Sequence, residues 1–227
     1  MTRYEVSGDS ILVSRGETAR YLGYRGILPK GPAAARIENC IAQLQAKCRP
    51  KAVWECFPLR MEEAAVPVLF HIQDMAFASR DLARTLRGCR RVVLMAATIG
   101  AEADFLIRRA EAADMSDAAI YQAAGAAMEE AWCDEVNRRI TTAAREAGLY
   151  ARPRFSPGYG DVPLSVQKDF SALLNMPLYC GISLTDTLLM VPSKSVTAFI
   201  GLSEQETPCI PAGCEVCTAR ADCRYRR

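Results

Sequence analysis

Arg154-Phe155-Ser156-Pro157-Gly158-Tyr159-Gly160-Asp161-Val162-Pro163 is the stretch on which the reading of this chain turns. Its prolines fix φ and remove backbone donors, and its glycines reach angles that other residues avoid. The composition excludes a helix and is poor for a central strand. It predicts a rigid, irregular loop that holds a cation, Arg154, and a ring, Tyr159, in fixed positions. Loops of this kind carry binding groups on a scaffold, although composition alone fits a plain connector as well.

Upstream of the loop, Ser116 is a candidate cap for a long helix running to about Glu146, with Gly148 as its stop signal. Its stripe of Ile120, Ala124, Ala127, Ala131, Val136 and Ile140 predicts close packing on a sheet. Before it, Arg91 to Ala97 is a continuous apolar run that reads as a buried strand, and a helix follows to about Ala110. Ser79 is a plausible cap for a short helix closed by Gly88. Val53 to Phe57 and Val66 to Ile72 read as strands, the second with Val66, Val68, Phe70 and Ile72 on one face and His71 on the other. A helix from Pro32 carries Ile37, Ile41, Leu44 and Cys48 on one stripe. Glu17 to Leu22 suggests a short helix, and alternation around Ser7-Gly8-Asp9-Ser10 suggests a hairpin over Arg3 to Val13. Downstream, Leu164 to Asn175 reads as a helix. Leu188 to Val191 and Ser195 to Leu202 read as strands joined at Pro192-Ser193-Lys194. Strands and helices without regular βαβ alternation predict an α+β fold with a mainly antiparallel sheet.

The totals bound the function. At 227 residues with half of them apolar, one large domain over 1–205 followed by a tail over 206–227 is expected. The formal charge of +2 supplies no basic field for nucleic acid or a membrane surface. The first residues carry no apolar leader and no run approaches a bilayer-spanning length, so a soluble, cytoplasmic protein is expected. Of the ten cysteines, Cys40, Cys48, Cys56, Cys89, Cys133 and Cys180 sit among apolar neighbours and read as core residues. Cys209, Cys214, Cys217 and Cys223 crowd the tail and read as a metal site, with zinc and an iron–sulfur cluster both open. The lone His71 excludes a multi-histidine metal site and offers no nucleophile system.

A second block, Leu184-Thr185-Asp186-Thr187-Leu188-Leu189-Met190-Val191-Pro192-Ser193-Lys194-Ser195-Val196-Thr197-Ala198-Phe199, follows the loop. It is similar to the Leu-Thr-Glu-Ser-x-x-Met-x-Pro-x-x-Ser-Val-Ser-Gly stretch of the activation (reactivation) domain of cobalamin-dependent methionine synthase. Arg154-x-x-x-Gly158-Tyr159 resembles that family's Arg-x-x-x-Gly-Tyr signature, and Glu130-Ala131-Trp132 its acidic helix position. The resemblance covers roughly residues 90–202. It departs at Gly160, where the family has proline, and is weak over the first 80 residues.

The resemblance implies a twisted antiparallel sheet with packed helices and a site for S-adenosylmethionine. In that site Arg154 would take the carboxylate, Glu130 the ammonium, the backbone of Ser156 and Gly158 the adenine, and Tyr159 would add a ring and a hydroxyl. Glu130 is preferred over its neighbour Glu129 because it keeps the family's acid-x-aromatic spacing, and Arg152 does not hold the motif spacing. The implied function is support of reductive methylation of cob(II)alamin within methionine synthase activity, with no catalytic acid or base in this chain. The corrin would be carried by a separate methionine synthase or other corrinoid protein, because the chain lacks the Asp-x-His-x-x-Gly loop, and an electron donor is required. Two rivals remain: a partner of another corrinoid methyltransferase, and a non-catalytic, metal-tailed assembly protein.

Overall fold

The structure, a computed structural model, describes residues 1–24 and 27–206. At its centre lie two long antiparallel strands, β6 (Arg91–Thr98) and β10 (Ser195–Ser203). Ser195 lies opposite Thr98 and Leu202 opposite Arg91. β2 (Lys51–Pro58) pairs with the other side of β6, from Lys51 opposite Thr98 to Pro58 opposite Arg91. The edges are β1 (Thr2–Glu5) beside β2 and the short β7 (Tyr150–Ala151) beside β10. The order is therefore β1-β2-β6-β10-β7, antiparallel throughout.

The apolar run in β6 is continuous because both of its faces are covered. Val93, Met95 and Ala97 belong to one core. That core is shared with α2 (Pro32–Lys47), α4 (Glu102–Ala113) and α5 (Met115–Glu146), the last bearing the fully buried Trp132. α1 (Arg15–Tyr21) packs against α5 on that side. Val92, Leu94 and Ala96 belong to a second core. It is closed by the small sheet of β3 (Arg60–Glu62), β4 (Leu69–Ile72) and β5 (Met75–Ala78), by α3 (Asp81–Thr85), and by α6 (Gln167–Leu174) and α7 (Met176–Tyr179). Phe199 of β10 anchors it, with ring centroids 4.8 Å from Phe170 and 5.6 Å from Phe77. The α+β class and the mainly antiparallel sheet match the expectation.

Several local expectations are corrected. The hairpin over Arg3 to Val13 does not form. β1 pairs with β2 instead, Thr2 opposite Trp54, and Gly8 to Ser10 make a single 3-10 turn. Gly8 is a close-approach residue: a Cβ there would sit 2.5 Å from the Gln45 carbonyl oxygen. The strand expected from Val66 begins only at Leu69, and Val66 is exposed. The strands at Met190 and Ser195 belong to different sheets. β9 (Met190–Val191) pairs with β8 (Ser183–Leu184), whereas β10 lies in the main sheet. The cap of α5 is Asp114, whose side chain accepts the Ser116 N–H at 2.8 Å, so Ser116 is the donor and not the cap. Cys56 is exposed, while the other five of its group are buried as expected. His71 is half-buried and paired with Glu62 at 2.9 Å.

Because Phe199 is fully buried in the second core, Phe199→Ala is expected to destabilise the fold by about 3–5 kcal/mol. Leu189→Ala, at an exposed position, should stay within about 0.5 kcal/mol. Urea unfolding of both variants checks this.

Candidate functional site

The predicted loop runs beside the edge of β10. Arg152 N–H donates to the Gly201 carbonyl at 2.8 Å, and Phe155 exchanges two backbone hydrogen bonds with Phe199, at 3.0 and 2.8 Å. Beyond Phe155 the chain leaves the strand and turns on itself. Gly158 N–H bonds the Val162 carbonyl at 3.0 Å, and Tyr159 N–H bonds the Ser156 carbonyl at 3.2 Å. Gly160 sits at φ +54°, and a Cβ there would collide with the Asp81 carboxylate. That explains why glycine stands at this position. The Asp161 carboxylate clamps the turn to the start of α3. It accepts the Ser79 hydroxyl and the N–H groups of Arg80 (2.7 Å) and Asp81 (3.2 Å). The Ser79 hydrogen bond, then that of Arg80, holds the Asp161 carboxyl below its usual range.

Between this loop, α5 and the first residues of β10 lies a cavity of about 470 Å³. Glu130, Arg154, Ser156 and Tyr159 all line it, so four of the five residues singled out in the sequence come together. The fifth, Gly158, shapes the turn at φ +83° and is not itself in the lining. Arg152 is buried along the strand and stays out of the cavity. Tyr159 stands at the rim, 71% exposed. The polar floor comes from Ser195 and from the buried pair Thr197 and Gln167, joined at 2.8 Å.

Arg154 is the electrostatic centre of the cavity. Its Nη2 donates to Asp134 Oδ1 at 2.9 Å and reaches Glu130 Oε2 at 3.5 Å. Its Nη1 is buried with no hydrogen-bond partner among the described residues. A guanidinium donor left in that state is costly unless a further acceptor arrives, so the arrangement is suited to an anion, a carboxylate above all. Asp134 was missed in the sequence. Its signal was its place four residues after Glu130, on the same helical face.

Glu129, passed over in favour of Glu130, is 5% exposed. Its Oε1 accepts the Cys133 thiol at 3.4 Å and its Oε2 is buried without a partner among the described residues. Burial pushes its carboxyl up to about 8, against the opposing effects of Cys133 and the Ile99 amide. Among the described residues no group of His, Cys, Asp or Glu is arranged to hold a metal ion. The predicted ligands Cys209, Cys214, Cys217 and Cys223 lie outside the described residues.

A family model described as "Vitamin B12 dependent methionine synthase, activation domain" matches residues 91–207, just over half of the chain. Among solved structures, the chain is similar to the MetH reactivation domain, solved bound to AdoHcy. The TM-score is 0.62 at 18% identity, covering 91% of this chain and 79% of that one. That likeness shows a shared fold. No curated protein sequence matches the chain.

The buried Glu129 sets a pH dependence. Its folded value, about 8, lies above the ordinary 4.5. The folded state therefore holds this proton more tightly than the unfolded state. The stability it contributes is complete below about pH 4.5 and is lost as pH rises through about 8. Glu129→Gln, which stays neutral, should become more stable than the parent by on the order of a few kcal/mol at alkaline pH. Thermal unfolding of both across the pH range checks this; curves that stay parallel would contradict it.

Proposed function

The chain belongs to the family of vitamin B12-dependent methionine synthase activation domains, and from that membership we propose that it binds S-adenosylmethionine and supports reductive methylation of a partner's cobalamin. The observation that carries this reading is Arg154 Nη1, a buried guanidinium donor without a partner among the described residues, at a cavity of ligand size. S-adenosylmethionine presents a carboxylate, an ammonium, a sulfonium and an adenine, and the site offers counterparts to the carboxylate, the ammonium and the adenine.

Arg154 takes the carboxylate through Nη1. Glu130 sits within reach of the same guanidinium, so an ammonium on the next carbon of the ligand meets it directly. The adenine is served by the Ser156 N–H and the Gly158 carbonyl, since the Ser156 carbonyl and the Gly158 N–H are already used within the turn. Tyr159, exposed at the rim, covers the ligand from outside. The reaction joins one electron and the sulfonium methyl to cob(II)alamin, leaving methylcobalamin and the thioether. This chain's contribution is positional: it holds the methyl where the corrin can meet it, and no side chain has to move a proton.

The corrin is carried by a partner protein, methionine synthase or another corrinoid protein, and an external donor supplies the electron. Leu189 and Val191, exposed on either side of the cavity-lining Met190 in the chain, offer an apolar surface to such a partner. His71, tied to Glu62, is no candidate for a cobalt ligand.

Calorimetric titration of S-adenosylmethionine into the anaerobic protein tests the reading. Arg154→Ala should lose about 2–5 kcal/mol of binding, and Arg154→Lys should recover part of it, since lysine keeps the charge without the fork. A wild type that does not bind, alone or with a cob(II)alamin-carrying protein present, would sink the proposal.

A further inference from the structure

Glu129 has no part in the reading above, yet it is bonded to a residue of the cavity wall. It is held on α5 one turn before Cys133, and Cys133 lines the cavity. Its Oε1 accepts the Cys133 thiol and its Oε2 is buried without a partner among the described residues. Other charged and titratable groups surround it. On α5 these are Cys133 and Glu130. Lys194 approaches from the turn before β10, but its Nζ donates to Gln122 Oε1 at 2.8 Å and forms no ion pair with Glu129. Asp104 of α4 acts in turn on Lys194. Cys48 at the end of α2 and Cys180 after α7 both feel the Glu129 charge. The Ile99 amide, at the end of β6, favours the Glu129 carboxylate through a backbone hydrogen bond, and Arg154 acts on the Cys133 thiol. The lysine that could have neutralised Glu129 is thus tied elsewhere. A desolvated carboxyl with an open oxygen next to a ligand cavity is a mark of function.

We propose that Glu129 couples a proton to the charge of the ligand: it keeps its proton while the cavity is empty and releases it to solvent when a sulfonium occupies the cavity. The proposal rests on the S-adenosylmethionine reading. The step is a simple ionisation, a carboxylic acid giving a carboxylate and a solvated proton. No bond forms to the ligand and no electron moves. A positive charge nearby favours the carboxylate, and the weak screening of the interior lengthens its reach. The Cys133 thiol then donates to an anion, a stronger hydrogen bond than to the acid.

The empty-site value of about 8 means that the carboxyl is mostly protonated at neutral pH, so its release is measurable. Because the occupied state holds fewer protons, affinity rises with pH up to about 8 and then levels off. The slope is at most about tenfold per pH unit for one proton.

The test is calorimetric titration at neutral pH in two buffers of different ionisation enthalpy, which counts the protons released. S-adenosylmethionine is compared with AdoHcy, which keeps the amino-acid end but lacks the sulfonium charge. The wild type should release a larger fraction of a proton with S-adenosylmethionine. Glu129→Gln should bind both ligands and lose that excess. Equal release with the two ligands, or an excess that survives in Glu129→Gln, overturns the coupling while leaving the binding reading intact. Should Glu129→Gln fail to fold, the difference between the ligands in the wild type decides alone. If S-adenosylmethionine does not bind at all, the functional reading falls and the coupling falls with it.

Discussion

The pairing of β6 with β10 is the constraint on which the rest of the structure depends. Apart from Arg91 and Val196, every residue of the two strands is buried. No water reaches their amides, so the ladder has to be continuous, and side chains on both faces have to be mainly apolar. Two cores follow, one under α2, α4 and α5 and one under the small sheet with α6 and α7. The cavity opens where that cover gives way, at the first residues of β10. There Ser195 and Thr197 bring hydroxyls into a strand that is otherwise apolar, and the loop after Phe155 departs from the strand edge.

The site then depends on how one cation is shared. Arg154 is held by Asp134 and Glu130 through a single nitrogen. Both carboxylates are largely exposed, and exposed pairs of this kind contribute roughly 0–1 kcal/mol. They orient the guanidinium without satisfying it, because its Nη1 is turned into a buried place they do not reach. A ligand carboxylate, in the proposed reading, would displace little and complete what the protein leaves open. The clamp from Asp161 to the start of α3 serves the same end from the other side: it fixes the turn that carries Ser156 and Tyr159.

What was legible in the sequence were features with a local cause. Gly148 and Gly88 mark helix ends with positive φ, and the apolar run at Arg91 to Ala97 is a strand because both its faces are covered. The loop at Arg154 to Pro163 is irregular for the reasons its prolines and glycines supply. Features set by distant partners were not legible. Gly8 looks like a hairpin turn, but it is there to pass the carbonyls of Gln45 and Cys48 at the end of α2. The pairing of β1 with β2 spans some fifty residues, and alternation in β1 does not name its partner. Of the small sheet only β4 showed its alternation; β3 and β5, three and four residues long, are too short to show a period. Within the site, four of five chosen residues line one cavity, while Asp134 was hidden among the many charges of a long helix.

Glu129 and Glu130 show how one helix serves both the core and the site. Successive residues on a helix are about 100° apart, so two neighbouring glutamates cannot face the same surroundings. Ala123, Ala124, Gly125 and Ala127 let α5 lie close on the sheet, and that closeness excludes water from the turn that follows. Glu129 falls on the sheet-facing side and is buried to 5% exposure, while Glu130 falls at the cavity. The same small residues that give tight packing therefore create the dry setting in which Glu129 holds its proton. In a helix set further from the sheet, water would solvate that carboxylate and its pKa would fall toward the ordinary glutamate value.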